Sequence, residues 1–217
     1  MERMVRSHDK GYAEEQAQVR SKTEVYLLKI ARDAAQRATE FKQQNDRCNE
    51  LKQAIIAVIT AQAAIEGFFH DFFDTQLRAK GKQHDFERIR EIRRLKQRLE
   101  EGLAAIGISV DKGKQPWQDL DLLVDIRNTL VHYYPMWESP QTEEDLVKRV
   151  KSTKRFELDE SRSRWDEQLF TASCAWWAYC TAIRMIKCYR CYSSAELHEW
   201  IEEGIKDCEQ FSRVDAC

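Results

Sequence analysis

The sequence predicts an all-α protein, and three features of its composition support that class. Only seven glycines and three prolines occur among 217 residues, less than half the share in average proteins, so turns and strands must be few. Charged residues make up 33% of the chain and hydrophobic residues 42%, as expected of long helices with one solvated face. Six Trp, seven Tyr and nine Phe can support a hydrophobic core.

Charge and cysteine usage narrow the class of protein. The net charge of -2 argues against bulk coating of nucleic acid, so any contact with nucleic acid must be local. The N-terminal segment resembles no signal peptide, and the uncharged run that includes residues 169–183 is too short to span a bilayer. Four of the seven cysteines fall on predicted helices, so we expect reduced thiols and a cytoplasmic protein. These four are Cys48, Cys174, Cys180 and Cys188.

We expect one domain, residues 1–217, with three parts. Residues 11–44 form an amphipathic N-terminal helix, since their apolar residues recur mostly three or four positions apart. Residues 45–190 form the core of a bundle. Its first helix, residues 46–77, is far more apolar and should be central. Residues 191–217 form an acidic C-terminal helix.

The middle of the chain predicts further helices separated by breaks. Asp85 is a suitable N-cap for a third helix, which Gly107 ends. Pro116 suits the first turn of a fourth helix that runs to Tyr134. Residues 136–162 have few periodic apolar positions, and we expect a long loop there.

Two capping-box signals predict where the last helices begin. Ser163 with Asp166 opens a fifth helix that reaches Arg190. Ser193 with Glu196 opens the acidic C-terminal helix.

Basic and acidic residues are unevenly distributed. Residues 78–98 hold nine Lys or Arg against three Asp or Glu, whereas residues 196–217 hold seven acids against two bases. Both segments can be solvated helical faces. Alternatively, the basic segment is a phosphate-binding surface beside an active site. Its candidate RNA-binding residues are Arg88, Arg90, Arg93, Arg94 and Lys96.

The fourth helix carries the most informative pattern. At about 100° per residue, its leucines, valines and isoleucine occupy one broad arc that should face the core. Asp121, Asp125, Asn128 and His132 lie within about 60° of one another on the other side. Arg127 falls inside the apolar arc, where an ionised guanidinium is costly unless it is paired.

Two explanations account for Arg127. It can form a buried ion pair, for which Glu66 in the apolar second helix is the natural partner. Alternatively, Arg127 emerges at a seam between subunits and meets a ligand phosphate. Two sets of Arg127, Asn128 and His132, brought together by a two-fold axis, would then make a compact site.

Arg127, Asn128, three intervening residues and His132 resemble the R-N-x-x-x-H motif of HEPN domains. With Tyr134, the segment is similar to the R-x4-H-x-Y version of HEPN toxins in HEPN/MNT toxin-antitoxin pairs. The resemblance implies an HEPN-like antiparallel helical bundle. It also implies a metal-independent endoribonuclease that acts as a homodimer, without a cofactor, in a toxin, antiphage defence or stress role.

The resemblance also implies roles for the motif residues. Arg127 would stabilise the phosphate, Asn128 would orient it or the imidazole, and His132 would act as base or acid. Attack by the 2′-hydroxyl would leave a 2′,3′-cyclic phosphate and a 5′-hydroxyl. Tyr134 either packs beneath the helix end or is the matching tyrosine that a nucleotidyltransferase antitoxin adenylylates. An antitoxin or sensor protein is therefore a possible partner, in addition to RNA.

Two other classes of function remain open. The chain can be a catalytically inactive HEPN-like scaffold that binds a nucleotide or holds a subunit interface. It can also be a helical adaptor with an acidic tail, in which Arg127 is permanently paired to Glu66.

A metal site is not expected. Glu66, His70 and Asp74 recur at four-residue steps on one helix face, a geometry that could hold a metal. A second helix would have to supply more ligands, so we expect a polar cluster there instead.

Overall fold

The computed structural model describes residues 2–131, 140–189 and 195–214. Helices are the only regular elements in these three segments, which confirms the predicted all-α class. In chain order they are α1 Glu2–Gln43, α2 Arg47–Ala79, α3 Gln83–Arg90, α4 Leu95–Ile106, α5 Trp117–Val131, α6 Pro140–Thr153, α7 Trp165–Leu169, α8 Ala172–Lys187 and α9 Ala195–Val214.

The second helix is central, as the sequence predicts. It packs against α1, α3, α4, α5 and α8. Alanines line much of its contact with α1, and such small side chains allow two helix axes to approach closely. The buried alanines are Ala31, Ala34, Ala35 and Ala38 on α1 and Ala54, Ala57, Ala61 and Ala64 on α2.

Among the described helices, α2 alone is long and apolar enough to cross a membrane by length and composition. Its four phenylalanines, Phe68, Phe69, Phe72 and Phe73, are instead buried in the core, where their rings pack against one another. A core helix of this kind passes the same test of length and hydropathy.

The first helix begins earlier than predicted, whereas local sequence explains both ends of the second. Helix α1 begins at Glu2 and so starts before the predicted residue 11. Asp46 is the N-cap of α2, and its carboxylate accepts a hydrogen bond from the Asn49 backbone N–H at 3.2 Å. Gly81 follows α2 with φ of 67°, a conformation that favours glycine.

The predicted third helix is wrong in two respects. It begins at Gln83, with Lys82 rather than Asp85 as N-cap. It also breaks before Leu95 and continues as the separate helix α4, which Gly107 ends as predicted. On one continuous helix, Leu95 would lie about 120° from Ile89 around the axis. The break allows both side chains to be buried against α2.

The loop predicted over residues 136–162 is also wrong in part. Helix α6 lies within it and begins at Pro140, which occupies the first turn. Leu146 and Val150, one turn apart, are buried and hold α6 on the core. Residues 136–139 lie outside the described residues.

The predicted fifth helix is in fact two helices, α7 and α8. Thr171 caps α8, and its hydroxyl accepts a hydrogen bond from the Cys174 backbone N–H at 3.1 Å. Ser163 does not cap α7. The N-cap is Arg164, whose guanidinium pairs with Asp166, so this carboxylate is not used for a capping box.

The prediction that the cysteines are reduced is wrong for one pair. Cys180 of α8 and Cys208 of α9 form a disulfide, which ties the C-terminal helix to the core. Cys48, Cys174 and Cys188 are free thiols. Ser193, the predicted cap of α9, lies outside the described residues.

Candidate functional site

Arg127 and Asn128 lie on the last turns of α5, at the surface of the bundle. Arg127 is half-buried and Asn128 is exposed, while Ile126 before them is fully buried and fixes this face of the helix. The Arg127 guanidinium donates a hydrogen bond to Asn128 Oδ1 at 3.2 Å. Among the described residues, no carboxylate forms an ion pair with Arg127. The described residues therefore provide no carboxylate that neutralises the charge of Arg127.

The predicted catalytic imidazole, His132, lies outside the described residues, as does Tyr134. The described part of α5 extends to Val131, immediately before His132 in the sequence. The structure therefore describes two of the three motif residues.

A cavity of about 580 Å³ opens beside Arg127. Three helices form its walls. Gln62 and Glu66 come from α2, Arg93 and Arg94 precede α4, and Asn128 lies with Arg127 on α5. The structure therefore brings the basic segment and the motif helix, which are separate in the sequence, to one cavity.

Glu66 shares this cavity with Arg127 but has a different cation as partner. Its carboxylate pairs with Arg98 at 3.2 Å and accepts a hydrogen bond from Gln62 Nε2 at 2.9 Å. The ion pair between Glu66 and Arg127 that the sequence suggested is therefore replaced by one between Glu66 and Arg98. Arg98 lies on α4, so this ion pair joins α4 to α2.

The five candidate RNA-binding residues fall into two groups. Arg88 pairs with Glu101, Arg90 pairs with Glu87 at 3.2 Å, and Lys96 pairs with two aspartates of α5. Arg93 and Arg94 are exposed and form no ion pair within the part of the chain that the structure describes. Among the described cations that line the cavity, these two and Arg127 pair with no carboxylate of the described segments.

Asp121 and Asp125, predicted on the polar face of α5, belong to an ion network. Arg149 of α6 binds both carboxylates at 2.6 Å, and Lys96 of α4 binds both from the other side. Burial raises the pKa of Asp121, but the hydrogen bonds from Lys96 and Arg149 outweigh it and leave this pKa below its ordinary value. The network fixes α4 and α6 to α5 one turn before Arg127.

Arg149 is a residue that the sequence analysis missed. It lies in the segment that was predicted to be a loop, so no face could be assigned to it. The spacing of Leu146, Val147 and Val150 is the signal that could have identified α6 and placed Arg149 on its α5 side.

The polar residues Glu66, His70 and Asp74, which share one face of α2, have protein partners. Glu66 pairs with Arg98, His70 lies 3.4 Å from Asp71, and Asp74 pairs with Arg78 at 2.6 Å. No group of three or more His, Cys, Asp or Glu side chains with the geometry to hold a metal occurs in the described segments.

Comparisons of the chain with protein-family models, with curated proteins and with solved structures found no match. The resemblance to HEPN domains therefore stays a prediction from the sequence.

Proposed function

We propose that this chain is a metal-independent endoribonuclease of the HEPN type that acts as a homodimer in a toxin, antiphage defence or stress role. The observation that carries the proposal is the placement of Arg127. Its guanidinium has no carboxylate partner among the described residues, lies beside Asn128 and faces an open cavity. A cation held at the surface in this way is suited to bind a phosphate.

The proposed reaction needs only the side chains of the motif. The imidazole of His132 removes the proton of the RNA 2′-hydroxyl, and the oxygen attacks the adjacent phosphorus. The bond from phosphorus to the 5′-oxygen breaks, and a second proton carrier, supplied by the partner copy, protonates that oxygen. Arg127 stabilises the charge that develops on the phosphate oxygens. The products are a 2′,3′-cyclic phosphate and a 5′-hydroxyl.

Exposed apolar residues at the edge of the cavity support the homodimer. Trp117 at the start of α5 lies against Tyr189, which packs on Phe69 of α2, so α5 runs antiparallel to α2. One turn beyond the cavity in the same direction lie Ile59 on α2 and Val131 on α5, with 38% and 48% of their surfaces exposed. A second copy that covers these residues would bring two sets of motif residues together.

Cleavage of RNA by purified variants tests the proposal. We expect Arg127→Ala and His132→Ala to lose at least about a hundredfold in rate, as removal of a catalytic acid, base or phosphate-stabilising group does. Arg88→Ala, which removes a paired arginine away from the cavity, should cleave at the wild-type rate. The cut ends should carry a 2′,3′-cyclic phosphate, and EDTA should not inhibit. Equal cleavage by all variants, or inhibition by EDTA, would contradict the mechanism.

Intact RNA after incubation with the wild-type dimer would favour the inactive scaffold or nucleotide-binding module instead. Control by adenylylation of Tyr134, an antitoxin or sensor partner and a cytoplasmic location stay predictions. Incubation with a nucleotidyltransferase and labelled ATP, followed by mapping of the labelled residue, would test the role of Tyr134.

A further inference from the structure

The first turn of α4 forms one wall of the cavity beside Arg127. Arg94 is the N-cap of this twelve-residue helix, has an extended backbone and makes no side-chain hydrogen bond that caps it. Arg93, Arg94, Leu95, Lys96 and Gln97 all line the cavity. The backbone N–H groups of a first helical turn have no partner within the helix, and together with the helix dipole they attract anions.

Around the cavity, the acidic residues are paired, whereas most of the basic residues are not paired within the described segments. Each acid at its wall has a cation partner. Glu66 pairs with Arg98, Glu100 with Lys112 at 2.7 Å, and Asp125 with Lys96 and Arg149. Three of the four cations at the wall, Arg93, Arg94 and Arg127, pair with no carboxylate of the described residues. The cavity therefore has an excess of positive charge, carried by guanidinium groups that match phosphate geometry.

A buried acceptor without a partner also lines this cavity. Gln62 has only 3% of its surface exposed, and its Nε2 donates to Glu66. Its Oε1 is buried and has no hydrogen-bond partner. A buried acceptor left unsatisfied costs free energy, so a turn of the Gln62 side chain toward the cavity would let this oxygen accept a hydrogen bond from a hydroxyl group of a ligand.

We propose that the cavity binds one phosphoribose unit of single-stranded RNA, next to the unit that is cut. Its phosphate lies at the N-terminus of α4 between the guanidinium groups of Arg93 and Arg94. Its ribose 2′-hydroxyl donates to Gln62 Oε1 after the Gln62 side chain turns toward the cavity. This inference rests on the proposed ribonuclease function and names a second subsite for the same substrate. The hydroxyl contact distinguishes RNA from DNA, because deoxyribose lacks the 2′-hydroxyl that donates to Gln62.

Binding of RNA without cleavage tests the subsite. A short, fluorescently labelled single-stranded RNA is titrated with the full chain carrying His132→Ala, and anisotropy is measured over a range of salt concentrations. In this background we expect Arg93→Gln with Arg94→Gln to weaken binding by roughly tenfold or more, as loss of charge-assisted contacts does. The dependence of log affinity on log salt should become shallower by about 0.7, which corresponds to loss of one neutralised phosphate.

A matched double variant controls for net charge. Arg88→Gln with Arg90→Gln removes two charges from the same segment, but both residues are paired and lie outside the cavity. This control should bind RNA within about twofold of the parent protein. Equal losses from the two double variants would overturn the phosphate subsite.

The hydroxyl contact is tested by the preference for RNA over DNA of the same sequence. Gln62→Met keeps the size of the side chain but removes the acceptor, so we expect the preference to fall by about fivefold. An unchanged preference would overturn the contact. Displacement of the RNA by equimolar AMP would overturn RNA as the ligand and favour a free nucleotide.

The outcomes separate this inference from the proposed activity. If the wild-type chain cleaves RNA through His132 while the two double variants bind alike, only the subsite is refuted. If RNA binds through Arg93, Arg94 and Gln62 but the wild-type chain never cleaves it, only the ribonuclease activity is refuted.

Discussion

A buried carboxyl group between the first two helices should make the protein less stable as the pH rises. Glu24 of α1 has only 4% of its surface exposed, and its Oε2 has no hydrogen-bond partner. It lies against Gly67 of α2, where a Cβ would be 3.2 Å from Glu24 Oε1. Burial, with a smaller contribution from Asp71, raises the pKa of Glu24 from 4.5 to about 7. A backbone hydrogen bond and, more weakly, the charge of His70 oppose this shift.

The sign and size of the effect follow from this pKa. Below about pH 4.5, Glu24 is protonated in the folded and the unfolded chain and has no effect. Between about pH 4.5 and 7 the unfolded chain ionises first, so the free energy of unfolding decreases as the pH rises. Each pH unit in this interval is worth about 1.4 kcal/mol, so the penalty reaches about 3 kcal/mol above pH 7.

Glu24→Gln removes the ionisation and should reverse the penalty. We expect the variant to be more stable than the wild type by up to about 3 kcal/mol at pH 8, with the gain falling towards zero near pH 4.5. Urea denaturation at several pH values measures the difference. Glu40→Gln, an exposed position on the same helix, is the control and should show a constant difference. A gain from Glu24→Gln that does not change with pH would refute the reasoning.

Three further predictions concern packing and the covalent and ionic links between helices. Gly102→Ala should lower the free energy of unfolding by about 1–3 kcal/mol, because a Cβ at this position would lie 2.4 Å from the ring of Phe73. An unchanged midpoint of thermal unfolding would contradict this packing. Reduction of the disulfide between Cys180 and Cys208 should lower the midpoint of thermal unfolding, because a disulfide that spans 28 residues is worth about 3–4 kcal/mol. In the variant Cys208→Ser, the midpoint should not change when reductant is added. Arg149→Met should cost at most about 1 kcal/mol of stability, because this ion network is partly exposed. The same variant should slow RNA cleavage, because it loosens the attachment of α5. Unchanged cleavage would argue against a positioning role for Arg149.

Apolar periodicity was sufficient to predict the bounds of a helix that packs on one continuous face. The run of apolar residues predicts a helix over residues 46–77, which agrees with α2 within two residues at both ends. The same reasoning failed at the third helix because the sequence pattern does not show that two short apolar faces point in different directions. It also missed α6, because Pro140 signals a turn as readily as the first residue of a helix.

The candidate site was also predicted only in part from the sequence. The sequence predicted that Arg127 and Asn128 lie late in a helix, and it identified the basic segment, residues 78–98, as a candidate binding surface. It did not show that Glu66 would pair with Arg98, because this pairing depends on how α4 crosses α2. It also left open which basic residues would remain unpaired, since each candidate has acidic residues within reach along the chain.

The sequence by itself determined the all-α class, the central helix and the position of the motif, because these depend on side-chain periodicity and on local backbone preferences. Only the tertiary structure decided which charges neutralise one another. Ion pairs between helices depend on packing angles and on residues far apart in the chain, and these determine that Arg93, Arg94 and Arg127 share one cavity without carboxylate partners among the described residues.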